Sequence, residues 1–181
     1  CVNKREGYYI LITGLVGTVI NQGLKLICKI PRPWVKDPNF TIVEEAREAA
    51  TGYSFPSGHT QNAAGTLGAI GRYSARKWVR VLTIVLIILV SLSRMYLGVH
   101  TPLDVGVSLL IAGALVFLLH PIFKSEERFQ RFMPYVIDVS LLLAVALVVY
   151  VELIIPEASV DAKNLESGYK NAASLLGCIM G

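Results

Sequence analysis

Charge is what this sequence has least of. Only 17% of its 181 residues are Asp, Glu, Lys or Arg, where a soluble domain of this size carries roughly 25%. Disorder requires high charge and low hydrophobicity; with 54% hydrophobic residues this chain is excluded from that class. Cysteine is scarce as well. Cys1, Cys28 and Cys178 are odd in number and lack CxxC spacing, which excludes a disulfide scaffold. Internal repeats and low-complexity linkers are missing, so we expect a single domain over 1–181. No small-residue cleavage site follows the apolar stretch after Lys4 and Arg5, so a signal peptide is not expected there. The chain starts at Cys1 and stops at Gly181 inside an apolar run, and we expect a segment of a longer protein.

What is present is apolar sequence in long stretches, with a mean hydropathy of +0.56. A helix crossing the roughly 30 Å hydrocarbon core needs about 20 mostly apolar residues. Val81–Ser93, Val105–Leu119 and Val139–Val151 are uncharged runs that reach this length with a few flanking residues. Tyr8–Cys28 carries Asn21, Gln22 and Lys25 in its second half, and His59–Tyr73 is rich in Ala and Gly. Small residues allow close helix approach in lipid, and polar groups there turn to a protein interior. These two are therefore expected to be inner helices. The predicted fold is all-α: a polytopic transmembrane bundle with about five spanning helices and a further, truncated one at the C-terminus.

The charged minority is unevenly placed. If the helices alternate, Lys4, Arg5, Arg72, Arg76, Lys77, Arg80, Lys124, Arg128 and Arg131 share one side with four acids. The positive-inside tendency makes that side cytoplasmic. Eight basic residues fall on the other side, five once Lys25, Arg32 and Arg94 are set aside as site residues. The net charge of +4 then reads as a topology signal, and no nucleic-acid partner is expected.

Three clusters meet on the second side: Lys25 with Arg32-Pro33, Pro56-Ser57-Gly58-His59, and Ser93-Arg94 with His100 and Asp104. Three cations, two imidazoles and a carboxylate are expensive to gather at membrane-helix ends. Lys25, Arg32 and Arg94 supply the charge and donors that suit phosphate oxygens. Ser57-Gly58 opens a helix, where free N–H groups favour an anion, and Gly58 carries no Cβ to hold a phosphate off the backbone. His100 and Asp104 are four apart and share a face if a helical turn joins them. A carboxylate on one ring nitrogen leaves the other as a nucleophile, and His59 remains to protonate a leaving oxygen.

These blocks, Lys25-LICKIP-Arg32-Pro33, Pro56-Ser57-Gly58-His59 and Ser93-Arg94-MYLGV-His100-TPL-Asp104, match every specified position of a three-part signature over 25–104. In this the chain resembles the type 2 phosphatidic acid phosphatase superfamily. The resemblance implies a helical membrane bundle and hydrolysis of phosphate esters without a metal or other cofactor. It further implies that His100 forms a phosphohistidine, Asp104 supports it and His59 protonates the leaving group. Lys25, Arg32, Ser57, Gly58 and Arg94 would hold the phosphoryl oxygens. The substrate class it implies is a lipid phosphate or pyrophosphate: phosphatidic acid, phosphatidylglycerophosphate or a polyprenyl pyrophosphate. We expect the site at the outer interface of a bacterial cell membrane, among membrane lipids, with oligomeric state left open. Two alternatives stand beside this reading: a vanadate-dependent haloperoxidase-like protein, which shares similar blocks but is soluble, and a non-catalytic transporter or scaffold keeping an anion site.

The remaining residues have plainer expectations. Asp104 can cap its helix while orienting His100. His120 is expected at the opposite interface, Cys28 and Cys178 as buried thiols, and Met95 and Tyr96 in packing or the pocket wall. Trp34 suits the membrane interface. The segment 36–53 reads equally as a short interfacial helix beside the site or as a solvated connector.

Overall fold

The computed structural model describes residues 4–50, 52–154 and 162–180; Cys1 and Gly181 lie outside them. All regular structure in these residues is helical. The long helices are α1 (Lys4–Cys28), α4 (Gly58–Tyr73), α5 (Lys77–Tyr96), α6 (Pro102–Lys124), α7 (Glu126–Val149) and α8 (Ala162–Met180). Two short ones, α2 (Pro33–Lys36) and α3 (Glu44–Ala49), lie between α1 and α4. A π-type turn, Tyr150–Ile154, extends α7.

Among the described residues, four helical stretches are long and apolar enough to cross a membrane: Lys4–Lys36, Lys77–Tyr96, Pro102–Lys124 and Glu126–Leu153. The fifth expected span, α4, has 16 residues, about 24 Å at 1.5 Å per residue, so it falls short of the core thickness. Its position explains why that is tolerated. α4 sits among α1, α5 and α6 and buries Thr60, Gln61, Ala64, Gly65, Ala69 and Gly71. A Cβ on Gly65 would lie 3.6 Å from the Thr13 carbonyl of α1, so the two backbones cross closely, as small residues permit. α1 is likewise internal, burying Tyr9, Ile12, Val16, Val19 and Leu26 against Phe123, Ala144, Leu147, Ala172 and Leu175 of α6, α7 and α8. α5 by contrast buries only Thr83 and Ser91, while Leu82, Ile84, Ile88, Leu89 and Leu92 are exposed. An apolar face of this kind has lipid as its natural solvent, and the chain is an integral membrane protein.

Successive long helices run in opposite directions. At one end Arg5 of α1 meets Glu126 of α7 at 3.2 Å. There Tyr9 stacks near Tyr73 and His120, with centroids 6.1 and 5.8 Å away. His120 is therefore buried, 5% exposed, in an aromatic cluster, and not the interfacial residue expected from sequence. At the other end the Ser57 amide donates to the Asp104 carbonyl, 3.1 Å away, joining the starts of α4 and α6. Gln22 of α1 reaches the Asn164 carbonyl of α8 at 2.8 Å. The three motif clusters all lie at this second end.

Candidate active site

Local chain geometry brings the first motif to the site. α1 ends at Cys28 and is closed off by Lys29, whose φ of 47° is left-handed and whose amide donates to the Lys25 carbonyl at 3.0 Å. This termination is usual for glycine, and it turns the chain so that Pro33 can open α2 with Arg32 folded inward. Lys25 and Arg32 are 9% and 7% exposed. Lys25 Nζ donates to the Tyr53 carbonyl at 2.6 Å. Arg32 Nε donates to the Gly52 carbonyl at 2.9 Å, and its Nη1 donates to the Val99 carbonyl at 2.9 Å.

α4 begins at its cap, Ser57, whose hydroxyl accepts from the Thr60 amide at 3.4 Å and donates to Thr60 Oγ1 at 3.0 Å. Ser57 is fully buried and its hydroxyl is committed to this cap, behind the cavity wall. Gly58 lies on the wall itself. A Cβ there would meet only Asn21 Oδ1, 3.8 Å away, so the protein leaves room for one; the open side faces the cavity. His59 follows, exposed at the mouth.

The third motif spans the end of α5 and the start of α6. Thr101 caps α6 in a capping box: the Asp104 amide donates to Thr101 Oγ1 at 3.3 Å and the Thr101 amide to Asp104 Oδ2 at 2.8 Å. The cap itself is therefore Thr101, with Asp104 as its reciprocal partner, and the same Oδ2 lies 3.4 Å from His100 Nδ1. That spacing makes a close pair but is long for a hydrogen bond, and Nδ1 has no other partner among the described residues. On the other side of the ring, Arg32 Nη1 stands 3.1 Å from His100 Nε2. With Nδ1 protonated toward Asp104, Nε2 is an acceptor and Arg32 is its donor. His100 is 4% exposed. Burial pulls its pKa down to about 4, and the positive charges of Arg32 and Lys25 add to this against the opposing pull of Asp104. The imidazole is neutral at physiological pH.

One cavity of about 350 Å³ gathers these groups: Lys25, Arg32, Gly58, His59, Arg94 and His100 line it, together with Ala46, Ala50, Leu97 and Val99. Ser57 and Asp104 stand directly behind that wall. The alanines come from α3 and its end, so Glu44–Ala49 stands as a short helix beside the site, held where the Val43 amide donates to the Leu97 carbonyl at 3.3 Å. Trp34 lies under two guanidinium groups, Arg32 at 5.9 Å and Arg47 at 5.8 Å. Two expectations fail. Tyr96 is 86% exposed and packs against nothing in the wall, since the helix end rotates it outward. Cys28 is exposed and Cys178 half-buried, because both sit near helix ends rather than in the core.

Sequence reading missed Ser54. It is 1% exposed, its hydroxyl donates to Asp104 Oδ2 at 2.6 Å, and its amide donates to the Ile30 carbonyl at 2.8 Å. Residues 52, 53 and 54 therefore contact Arg32, Lys25 and Asp104 in turn. The available signal was weak: a serine two residues before Pro56, in no motif.

Sequence comparison agrees with this arrangement. The sequence model of the PAP2 superfamily matches residues 6–128, which include every site residue above. An undecaprenyl-diphosphatase of Bacillus subtilis is 31% identical over 138 residues, covering 76% of this chain and 66% of its own length. An undecaprenyl-diphosphatase of Sulfolobus acidocaldarius is 33% identical over 134 residues, 70% of this chain and 63% of that protein. Phosphatidylglycerophosphatase B of Bacillus subtilis is 34% identical over 133 residues, 66% of this chain and 61% of that protein. The chain thus matches somewhat less than two thirds of the length of these relatives. No solved structure matches it. With six residues of the signature lining one cavity and the family match running across it, this chain belongs to the PAP2 superfamily.

Proposed function

We propose that the chain is a lipid-phosphate phosphatase working through a phosphohistidine at the extracytoplasmic interface of a bacterial cell membrane. The observation that carries the reading is convergence: chain segments far apart in sequence place three cations and two histidines around one cavity, with Asp104 behind His100. The cations offset the phosphate charge and supply donors to its oxygens. Arg32 has a second consequence. The donor that covers His100 Nε2 at 3.1 Å is also one that a phosphoryl oxygen would attract, so an arriving phosphate uncovers the lone pair as it is bound.

Nε2 then attacks phosphorus, the bond to the leaving oxygen breaks, and His59 gives that oxygen a proton. Asp104 stabilises the positive charge that forms on the His100 ring. In the second step His59 takes a proton from water, the hydroxide attacks phosphorus, the P–N bond breaks and inorganic phosphate leaves. Lys25, Arg32, Gly58 and Arg94 face the phosphoryl group directly. Ser57 contributes through its cap, and its hydroxyl reaches a phosphate oxygen only by turning from Thr60.

A lipid leaving group is supported by a second cleft of about 590 Å³ that adjoins Gly58 and His59 and runs between α1, α4 and α5, past Thr18, Asn62, Thr66 and Val90. The names of the relatives favour an isoprenoid diphosphate or phosphatidylglycerophosphate. The orientation rests on the nine basic residues gathered at the far end. The test is phosphate release in detergent from polyprenyl pyrophosphate, phosphatidylglycerophosphate and phosphatidic acid, with EDTA present. At least one is hydrolysed, and His100→Ala lowers the rate by at least about a thousandfold, the scale of losing a nucleophile. Activity surviving that substitution overturns the assignment.

A further inference from the structure

The phosphate-facing cations are held from an unexpected direction. Lys25 and Arg32 donate to the carbonyls of Tyr53 and Gly52, and Ser54, the next residue, donates to Asp104. These three residues act as a strap across the back of the site. The strap is itself fastened to α8, a helix outside the 6–128 stretch that the family shares. The Tyr53 amide donates to Asn164 Oδ1 at 3.3 Å, and the Asn164 carbonyl accepts from Gln22 Nε2 at 2.8 Å. Gln22 lies three residues before Lys25, hence on the same face of α1. Asn164 is 4% exposed. Gly52 is shaped to the same contact: its φ is +71°, and a Cβ there would overlap the Asn164 amide.

We propose that Asn164 is a positioning residue, fixing the 52–54 strap so that Lys25 and Arg32 present their charges to the phosphate. The proposal rests on the phosphatase reading above. Lys25 and Arg32 are both cationic and share one cavity, so each repels the other. The carbonyl dipoles of the strap hold them at a set spacing before any anion arrives. Preorganised donors of this kind need no rearrangement on binding, and freeing the strap would weaken anion affinity without removing any group that touches phosphate.

The test uses the whole chain in detergent, with inorganic phosphate as the probe. Phosphate affinity is read from the rise in Tm with phosphate concentration, beside lipid hydrolysis by the same samples. Asn164→Leu should weaken phosphate binding about tenfold and raise KM more than it lowers kcat. Gln22→Leu, which cuts the same link from α1, should behave like Asn164→Leu and serves if that variant does not fold. Leu175→Ala, in the apolar part of α8, should lower Tm while leaving phosphate affinity unchanged. If phosphate stabilises the parent and both Asn164→Leu and Gln22→Leu equally, the positioning role is overturned and the phosphatase reading stands. If phosphate does not stabilise the parent and His100→Ala hydrolyses lipid as the parent does, the phosphatase reading falls, and the proposal with it.

Discussion

At the scale of single residues, Asp104 Oδ2 is the most heavily used atom of the site. It accepts from Ser54 Oγ at 2.6 Å and the Thr101 amide at 2.8 Å, and lies 3.4 Å from His100 Nδ1. Ser54→Ala removes the shortest of these contacts from a buried carboxylate. A lost hydrogen bond to a charged group costs about 1.5–3 kcal/mol, so kcat/KM should drop by roughly ten- to a hundredfold while helicity by circular dichroism is kept. An unchanged kcat/KM would mean that Ser54 does not orient the pair. His100 sets the pH dependence. Its imidazole is held down to about 4, below the ordinary value of about 6.5, so the nucleophile stays neutral well into the acid range. The acid limb of kcat/KM attributable to His100 should lie near pH 4 in the free enzyme. The same shift acts on stability with a definite sign. Between about pH 6.5 and 4 the unfolded chain binds a proton at this histidine and the folded chain does not, so stability falls as pH falls through that window. Unfolding midpoints measured from pH 7 to 4 check this, and a His100→Ala variant should lose that part of the slope.

At the scale of elements, the loop between α5 and α6 depends on one glycine. Gly98 has φ +74°, and a Cβ there would sit 2.5 Å from the Thr41 carbonyl and 3.1 Å from Ile42 Cα. The 40–43 segment crosses over it to place α3 beside the cavity. Gly98→Ala meets both a strained φ and that overlap, and should cost about 1–3 kcal/mol, read as a lower Tm. Because Val99 and His100 follow immediately, activity should fall further than stability alone explains. Most of this architecture was legible in the chain. The α5 and α6 spans lie where the apolar runs predicted them, with the borrowed flanking residues in place, and α4 forms at its predicted position as a shorter inner helix. The short α3 was not decided by sequence, because Glu44–Ala49 has helical propensity on either reading and tertiary contacts, the Val43 bond to Leu97 among them, commit it to the site. The cap of α6 was half legible: the sequence offered Asp104 as a capping residue, and the fold made Thr101 the cap and Asp104 its reciprocal partner.

At the scale of the whole molecule, charge and apolar exposure are segregated. The lipid-suited faces belong to α5, α6 and α7, the inner positions to α1 and α4, and Arg5, Arg72, Arg80 and Lys124 lie at the end away from the cavity. This gives the orientation a direct test. Asn39, exposed in the turn after α2 at the cavity end, can be replaced as Asn39→Cys in a chain whose native cysteines are serine. A membrane-impermeant maleimide added outside intact cells should label it. Labelling seen only after permeabilisation would put the cavity on the cytoplasmic side.

By itself the sequence determined that the chain is a membrane helix bundle and singled out residues that meet around one cavity. Both follow from local facts: apolar runs of spanning length, and charged groups too costly in lipid to lack a purpose. Tertiary structure alone decided how those residues are held. Ser54 and Asn164 belong to no motif, and their value comes from partners that distant segments deliver: the Asp104 carboxylate to Ser54, and the Tyr53 amide and Gln22 side chain to Asn164. His120 was misread for the same reason: its burial depends on Tyr9 and Tyr73, more than a hundred and nearly fifty residues away in the chain. A spacing pattern records what one segment contributes, whereas hydrogen-bond partners across a bundle are fixed only when the helices pack.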